Sequence, residues 1–216
     1  MSENLIIAPE NGEVSSKSTP DSIPENRIVV YQNDKVRIIA ETLTANETDE
    51  SPDYRLVYPV LGGINNASAE KIIDFLLKNG DRPVCLDILC GEDDDNSLTA
   101  CMALFFELSQ VKSRVDIRLS GTVVPLPVVL LTGANNRGSI SASKHTLFYM
   151  FADFKPDYLG DKDFETARAN QDKLLTMVID LLSTGRDRSA IEAMIQRKKF
   201  CTAEEMKGAM LINEII

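Results

Sequence analysis

The 216-residue chain carries one histidine, His145, and four cysteines, Cys85, Cys90, Cys101 and Cys201. Its stock of bases, nucleophiles and soft metal ligands is therefore small. His145 closes the run Ser139-Ile140-Ser141-Ala142-Ser143-Lys144-His145. A serine hydroxyl beside an imidazole is the core of acyl-transfer chemistry. Serines this close along one segment rarely reach an imidazole in attack geometry, so the run reads first as ordinary strand and turn sequence. No cysteine pair has the CxxC spacing of a zinc or redox site, and the four read as reduced thiols. Glu92-Asp93-Asp94-Asp95 offers the carboxylates that hard cations want, but lacks the alternate spacing and the glycine of a calcium loop. The run stands just before a helical pattern, where anions suit the helix dipole and Asp95 or Asn96 can cap free N–H groups. Capping is the simpler reading. Met102, Met150, Met177 and Met194 fall on positions already apolar and read as core packing. No metal and no cofactor is expected.

These residues need elements to hold them. Arg27 to Tyr31 and Lys35 to Ile39 are β-rich runs around Gln32-Asn33-Asp34 and predict a hairpin. Arg55 to Leu61 is a further β-rich run ending at Gly62-Gly63. Asn66 or Ser68 can cap a helix with apolar Ile72, Ile73, Phe75, Leu76 and Leu77, stopped at Gly80. Val84 to Leu89 predicts a strand, Ser97 to Val111 a helix, and Val115 to Leu119 a strand punctuated by Gly121. A further helix starts near Pro125, and a strand follows around Thr146 to Phe151. Helices are predicted from Phe164 to Leu182 and from Arg188 to Arg197. Such alternation implies an α/β fold of stacked ββα units around a largely parallel sheet.

Composition narrows the function. Apolar residues make up 44% and charged residues 26%, the balance of a globular protein. The net charge of -10 and a pI near 4.7 argue against binding nucleic acid or an anionic membrane, both of which want a basic face. The most apolar run, Val123 to Leu131, is too short for a membrane span and contains Pro125 and Pro127. Met1-Ser2-Glu3-Asn4 lacks the basic start of a signal peptide, which predicts a cytoplasmic location. Residues 1–54 hold 11 acidic and 4 basic side chains, so the acidity is concentrated there. Residues 1–26, rich in Pro, Ser, Glu and Asn beyond residue 8, read as a disordered acidic tail. Residues 27–54 read as hairpin and linker, and residues 55–216 as the main domain.

From about Arg55 onward, the order of segments resembles the proteolytic subunit of the Clp protease, a serine peptidase that assembles into a barrel under an AAA+ unfoldase. Ser97-Leu98-Thr99-Ala100-Cys101-Met102-Ala103 matches the helix after that family's Ser-Pro-Gly-Gly turn. Gly121-Thr122-Val123-Val124-Pro125-Leu126-Pro127 stands in place of its Gly-Gln-Ala-Ala-Ser-Met-Gly. Phe200-Cys201-Thr202-Ala203-Glu204-Glu205, and the ending through Ile216, match the family's last segments. The resemblance implies a ClpP/crotonase-like fold with a long C-terminal handle helix. It also places the 27–39 hairpin where the family builds a gated axial entrance.

The departures fall on the chemistry. The position of the family's nucleophilic serine is Pro125, which has no hydroxyl. The general-base position is Tyr149, and tyrosine is a poor base at neutral pH. The oxyanion-hole glycines correspond to Asp95 and Asn96, which bring a carboxylate where hydrogen-bond donors are needed. Asp161, or less readily Asp163, corresponds to the orienting acid. A four-residue deletion brings His145 to the base position but supplies no serine. The resemblance therefore implies a non-catalytic subunit in a homo- or hetero-oligomer with active Clp proteolytic subunits. The rival readings are a serine-type peptidase or acyl-CoA-handling enzyme of the same fold with relocated residues, and a self-assembling structural protein outside proteolysis. In the helix from Phe164, Leu174, Leu175, Val178, Ile179, Leu181 and Leu182 cover more than one side. They are expected to be exposed for contact with another subunit.

Overall fold

The computed structural model describes residues 27–32, 37–42, 54–91, 94–134, 138–151, 164–197 and 199–216. The acidic tail, the 43–53 linker, Glu92, Asp93, Asp161 and Asp163 lie outside the described residues. The predicted hairpin is present as β1 (Arg27–Gln32) and β2 (Arg37–Thr42), paired antiparallel with a bulge between Val29 and Tyr31. β2 pairs antiparallel with β3 (Tyr54–Leu61), so the hairpin extends the main sheet.

From β3 the chain alternates as its periodicity demands. α1 (Asn66–Lys78) leads to β4 (Val84–Cys90), and α2 (Leu98–Gln110) leads to β5 (Val115–Gly121). β3, β4 and β5 lie side by side and parallel. The short β6 (Val123–Pro125) turns into α3 (Leu126–Val129) and a 3₁₀ turn at Leu130–Gly133. β7 (Ile140–Ala142) joins β5 in parallel, and β8 (Leu147–Tyr149) follows. α4 (Phe164–Leu182), α5 (Arg188–Gln196), β9 (Phe200–Cys201), α6 (Ala203–Gly208) and β10 (Glu214–Ile215) complete the chain. The larger sheet has the order β1-β2-β3-β4-β5-β7-β10, and a three-stranded sheet has the order β6-β8-β9.

The period-2 pattern of the strands sends Leu56, Tyr58, Val60, Leu86, Ile88, Ile117 and Leu119 to one face, all buried. Ile72, Phe75 and Leu76 of α1 and Leu104, Phe105 and Leu108 of α2 cover that face. Each such side chain contributes about 1.5–3 kcal/mol when removed from water. The opposite face of β5 holds Asp116, which is 5% exposed. Arg55 Nη1 at 2.7 Å, Arg114 Nε at 2.9 Å and Ser139 N at 2.7 Å all donate to its carboxylate, tying β3, β5 and the start of β7 together. Arg186 ties the C-terminal half. Its guanidinium donates to the carbonyls of Met210, Thr132 and Leu182 at 2.7, 2.8 and 3.2 Å, accepting groups left free where helices end.

Three sequence expectations are corrected. The α2 cap is Ser97, whose Oγ accepts from Ala100 N, because Asn96 is engaged elsewhere. The α1 cap is Asn65, closed reciprocally by Ser68. In α4, Val178, Ile179 and Leu182 are buried, Leu175 and Leu181 pack against the core, and only Leu174 of the six is exposed. α5 and the 3₁₀ turn both pack on this helix and use more of its circumference than one contact would. Its C-terminal half is therefore core, not a free contact surface.

Candidate functional site

The chemistry-bearing positions gather at the C-terminal end of the parallel strands, the end where open α/β sheets place their sites. β4 and β5 finish together, with Cys90 opposite Gly121. Gly121 has φ +106°, and a Cβ there would lie 1.9 Å from the Cys90 carbonyl oxygen. Only glycine fits this close approach, and it lets the chain swing from β5 into β6. β6 then ends at Pro125, in extended backbone (φ -79°, ψ 158°), which serves as the N-cap residue of α3 without a side-chain cap bond. A proline is tolerated there because the first turn of a helix does not need that N–H.

β8 lies parallel to β6 in the register Val123–Leu147, Val124–Phe148, Pro125–Tyr149. The nucleophile and base positions singled out in the sequence are thus direct neighbours on adjacent strands, roughly 4.8 Å apart by the ordinary strand spacing. On its other side Tyr149 opposes Phe200 of β9. The Tyr149 ring packs at 5.3 Å from that of Phe200 and at 5.9 Å from that of Phe151. The pair of positions is filled by a proline and an aromatic cluster. Phe200 stands in a recognisable sequence motif, but no local spacing announces that β9 pairs with β8, so its packing on Tyr149 is legible only in the fold.

Gly91 and residues 94–97, which follow β4, stand at the same end. Asn96 Oδ1 accepts from Ile64 N at 2.9 Å, and its Nδ2 donates to the Asp94 carbonyl. Ser97 N donates to the Ile64 carbonyl at 2.9 Å, and the Asp94 carboxylate accepts from Gly91 N. Gly63 allows the two loops to touch, because a Cβ there would sit 2.0 Å from the Asp95 carbonyl oxygen. Asn96 and Asp94 are thereby committed to holding the loops. Asp95 is exposed.

The other candidates are elsewhere or inert. His145 is exposed in the turn before β8, where Thr146 N donates to the Ser143 carbonyl. It lies four residues before Tyr149, about 13 Å along an extended chain. Among the described residues no hydrogen bond joins a serine hydroxyl to His145. The exposed Glu204 carboxyl is held low first by its own backbone and Thr202, and then by Lys144 and His145. Burial pushes the Cys90 thiol up to about 12, helped by the Asp94 carboxylate. Burial does the same to Cys101, with Cys90 beside it, again to about 12. Neither thiol supplies a thiolate at neutral pH. Among the described residues no group of three or more His, Cys, Asp or Glu is placed to hold a metal, and no helix is long and apolar enough to cross a membrane.

In three dimensions the chain is similar to the crystal structure of the ClpP protease catalytic domain from Plasmodium falciparum. The TM-score is 0.56 at 16% sequence identity, and the match covers 74% of this chain and 83% of that one. At that identity the likeness establishes the fold: a mixed α/β ClpP-like architecture with a parallel sheet flanked by helices. No family model matches the chain. No curated protein matches it.

Proposed function

We propose that this ClpP-like chain is a catalytically silent subunit that helps build or regulate a barrel-shaped peptidase complex. The observation that carries the reading is the register of Pro125 with Tyr149 at the β6–α3 elbow. An acyl-transfer site needs a nucleophile at such an elbow and a base within hydrogen-bond reach of it. Proline provides no nucleophile, and Tyr149 is engaged with Phe200 and Phe151. The loop carrying Asp95 and Asn96 supports the same reading, since a carboxylate opposes the negative charge of a tetrahedral intermediate. In this proposal the chain assembles with itself or with active Clp-type subunits in the cytoplasm, beneath an AAA+ unfoldase. The active relatives would supply the serine.

Peptide hydrolysis by the purified chain tests the silence. Fluorogenic peptides and unfolded casein should be cleaved at the background rate. Losing one oxyanion donor already costs about 10²–10³ in rate, and loss of the nucleophile removes the acyl-enzyme route. Pro125→Ser alone should restore nothing, because Tyr149 still stands at the base position. Turnover abolished by His145→Ala would contradict the reading and favour relocated catalysis.

A further inference from the structure

Two surface features, far apart in the sequence, complement each other. The first is a groove of about 440 Å³ between α1 and α2, lined by buried Ala69 and Ala100, by exposed Ala103, and by Ile73 and Leu77. Leu77 is 67% exposed, and Glu70 and Asp74 form the lip. The second is Phe200, which is 49% exposed although its ring is braced by Tyr149. Exposed Lys199 precedes it, and exposed Arg197 stands close by on the same segment. Arg197 is bridged to Glu205 at 3.7 Å, and Asp74 to Lys78 at 2.7 Å. Lys199 and Glu70 enter no ion pair among the described residues.

We propose that Phe200 of one copy seats in the α1–α2 groove of a second copy of this chain, with Lys199 meeting Glu70. The groove is lined by the small side chains Ala69, Ala100 and Ala103, which leave room for a large ring. An aromatic side chain brings about 150–250 Å² of buriable surface, and such anchors dominate interfaces when they fill pockets. Tyr149 is the positioning residue: its ring holds Phe200 before docking, so little side-chain freedom is lost on association. Because knob and groove are different patches, the contact is heterologous, and repetition closes a ring or extends a filament. The inference rests on the assembly part of the proposed function and is independent of catalytic silence.

Sedimentation equilibrium of the full chain across a concentration series tests it, with circular dichroism as the check on folding. Phe200→Ala should weaken self-association roughly 30-fold, the scale of an interface anchor. Tyr149→Ala should weaken it by a smaller factor. Glu70→Lys and Lys199→Glu should each weaken it about tenfold through like-charge contact, and the double reversal should recover most of the loss. Ala103→Trp, which fills the groove, should mimic Phe200→Ala. Wild-type association with Glu70→Lys, Phe200→Ala and Ala103→Trp all behaving as wild type would overturn this contact while leaving assembly through another surface standing. A chain that stays monomeric both alone and with an active Clp-type subunit would overturn this contact and the assembly reading together.

Discussion

Pro125 shows how one side chain can suit a strand-to-helix turn while offering it no hydroxyl. Its extended dihedral angles and N-cap place suit the strand-to-helix turn, and the ring needs no N–H partner there. The sequence displayed this proline openly. It did not display that Tyr149 lies directly across from it, because that pairing joins residues 24 positions apart on separate strands. Asp116 was equally invisible as a hub. Burial alone would raise its carboxyl, but the Ser139 N–H, Arg114 and Arg55 together outweigh burial and hold it below the ordinary 3.8. A carboxyl lowered by folding contributes stability above its unfolded value and loses it as pH falls through the folded one. Thermal melts of the wild type should therefore fall steadily as pH drops below about 4. Asp116→Asn should flatten that acid limb and lower stability at neutral pH by about 1–3 kcal/mol, since a buried neutral amide cannot accept from Arg55, Arg114 and Ser139 N–H together. Equal acid sensitivity in variant and wild type would assign the transition to other carboxylates.

Among the elements, α4 separates what periodicity can say from what it cannot. The bounds Phe164 to Leu182 follow from the sequence and agree with the helix observed. The breadth of its apolar stripe showed that more than one neighbour was needed, but not whether that neighbour belonged to the same chain. α5 and the 3₁₀ turn provide it. Ile179→Glu should then cost more than about 3 kcal/mol, as an unpaired charge placed among core side chains. Leu174→Glu, on the exposed side, should change stability by less than about 0.5 kcal/mol. Urea melts compare the two directly, and equal, small effects would return the whole helix to the surface. Capping shows the same limit on a smaller scale. An acidic run before α2 suggested Asp95 or Asn96, yet Asn96 is bonded to Ile64 across a loop 32 residues away in sequence. Ser97 takes the cap instead.

Across the whole molecule, alternating strands and helices made the parallel α/β sheet legible, because each strand-helix-strand step is local and right-handed by default. Long-range closures were not legible. β10 pairs with β7, and Arg186 gathers carbonyls from three separate segments, without any local pattern that announces either. The ClpP-like fold and the Pro125–Tyr149 register together carry the central proposal, a chain without a catalytic nucleophile. Intact-mass measurement after incubation with an active-site-directed fluorophosphonate addresses that claim most directly. The account predicts no adduct on this chain, alone or mixed with an active Clp-type subunit that is itself labelled. A stoichiometric adduct on any serine of this chain would contradict it.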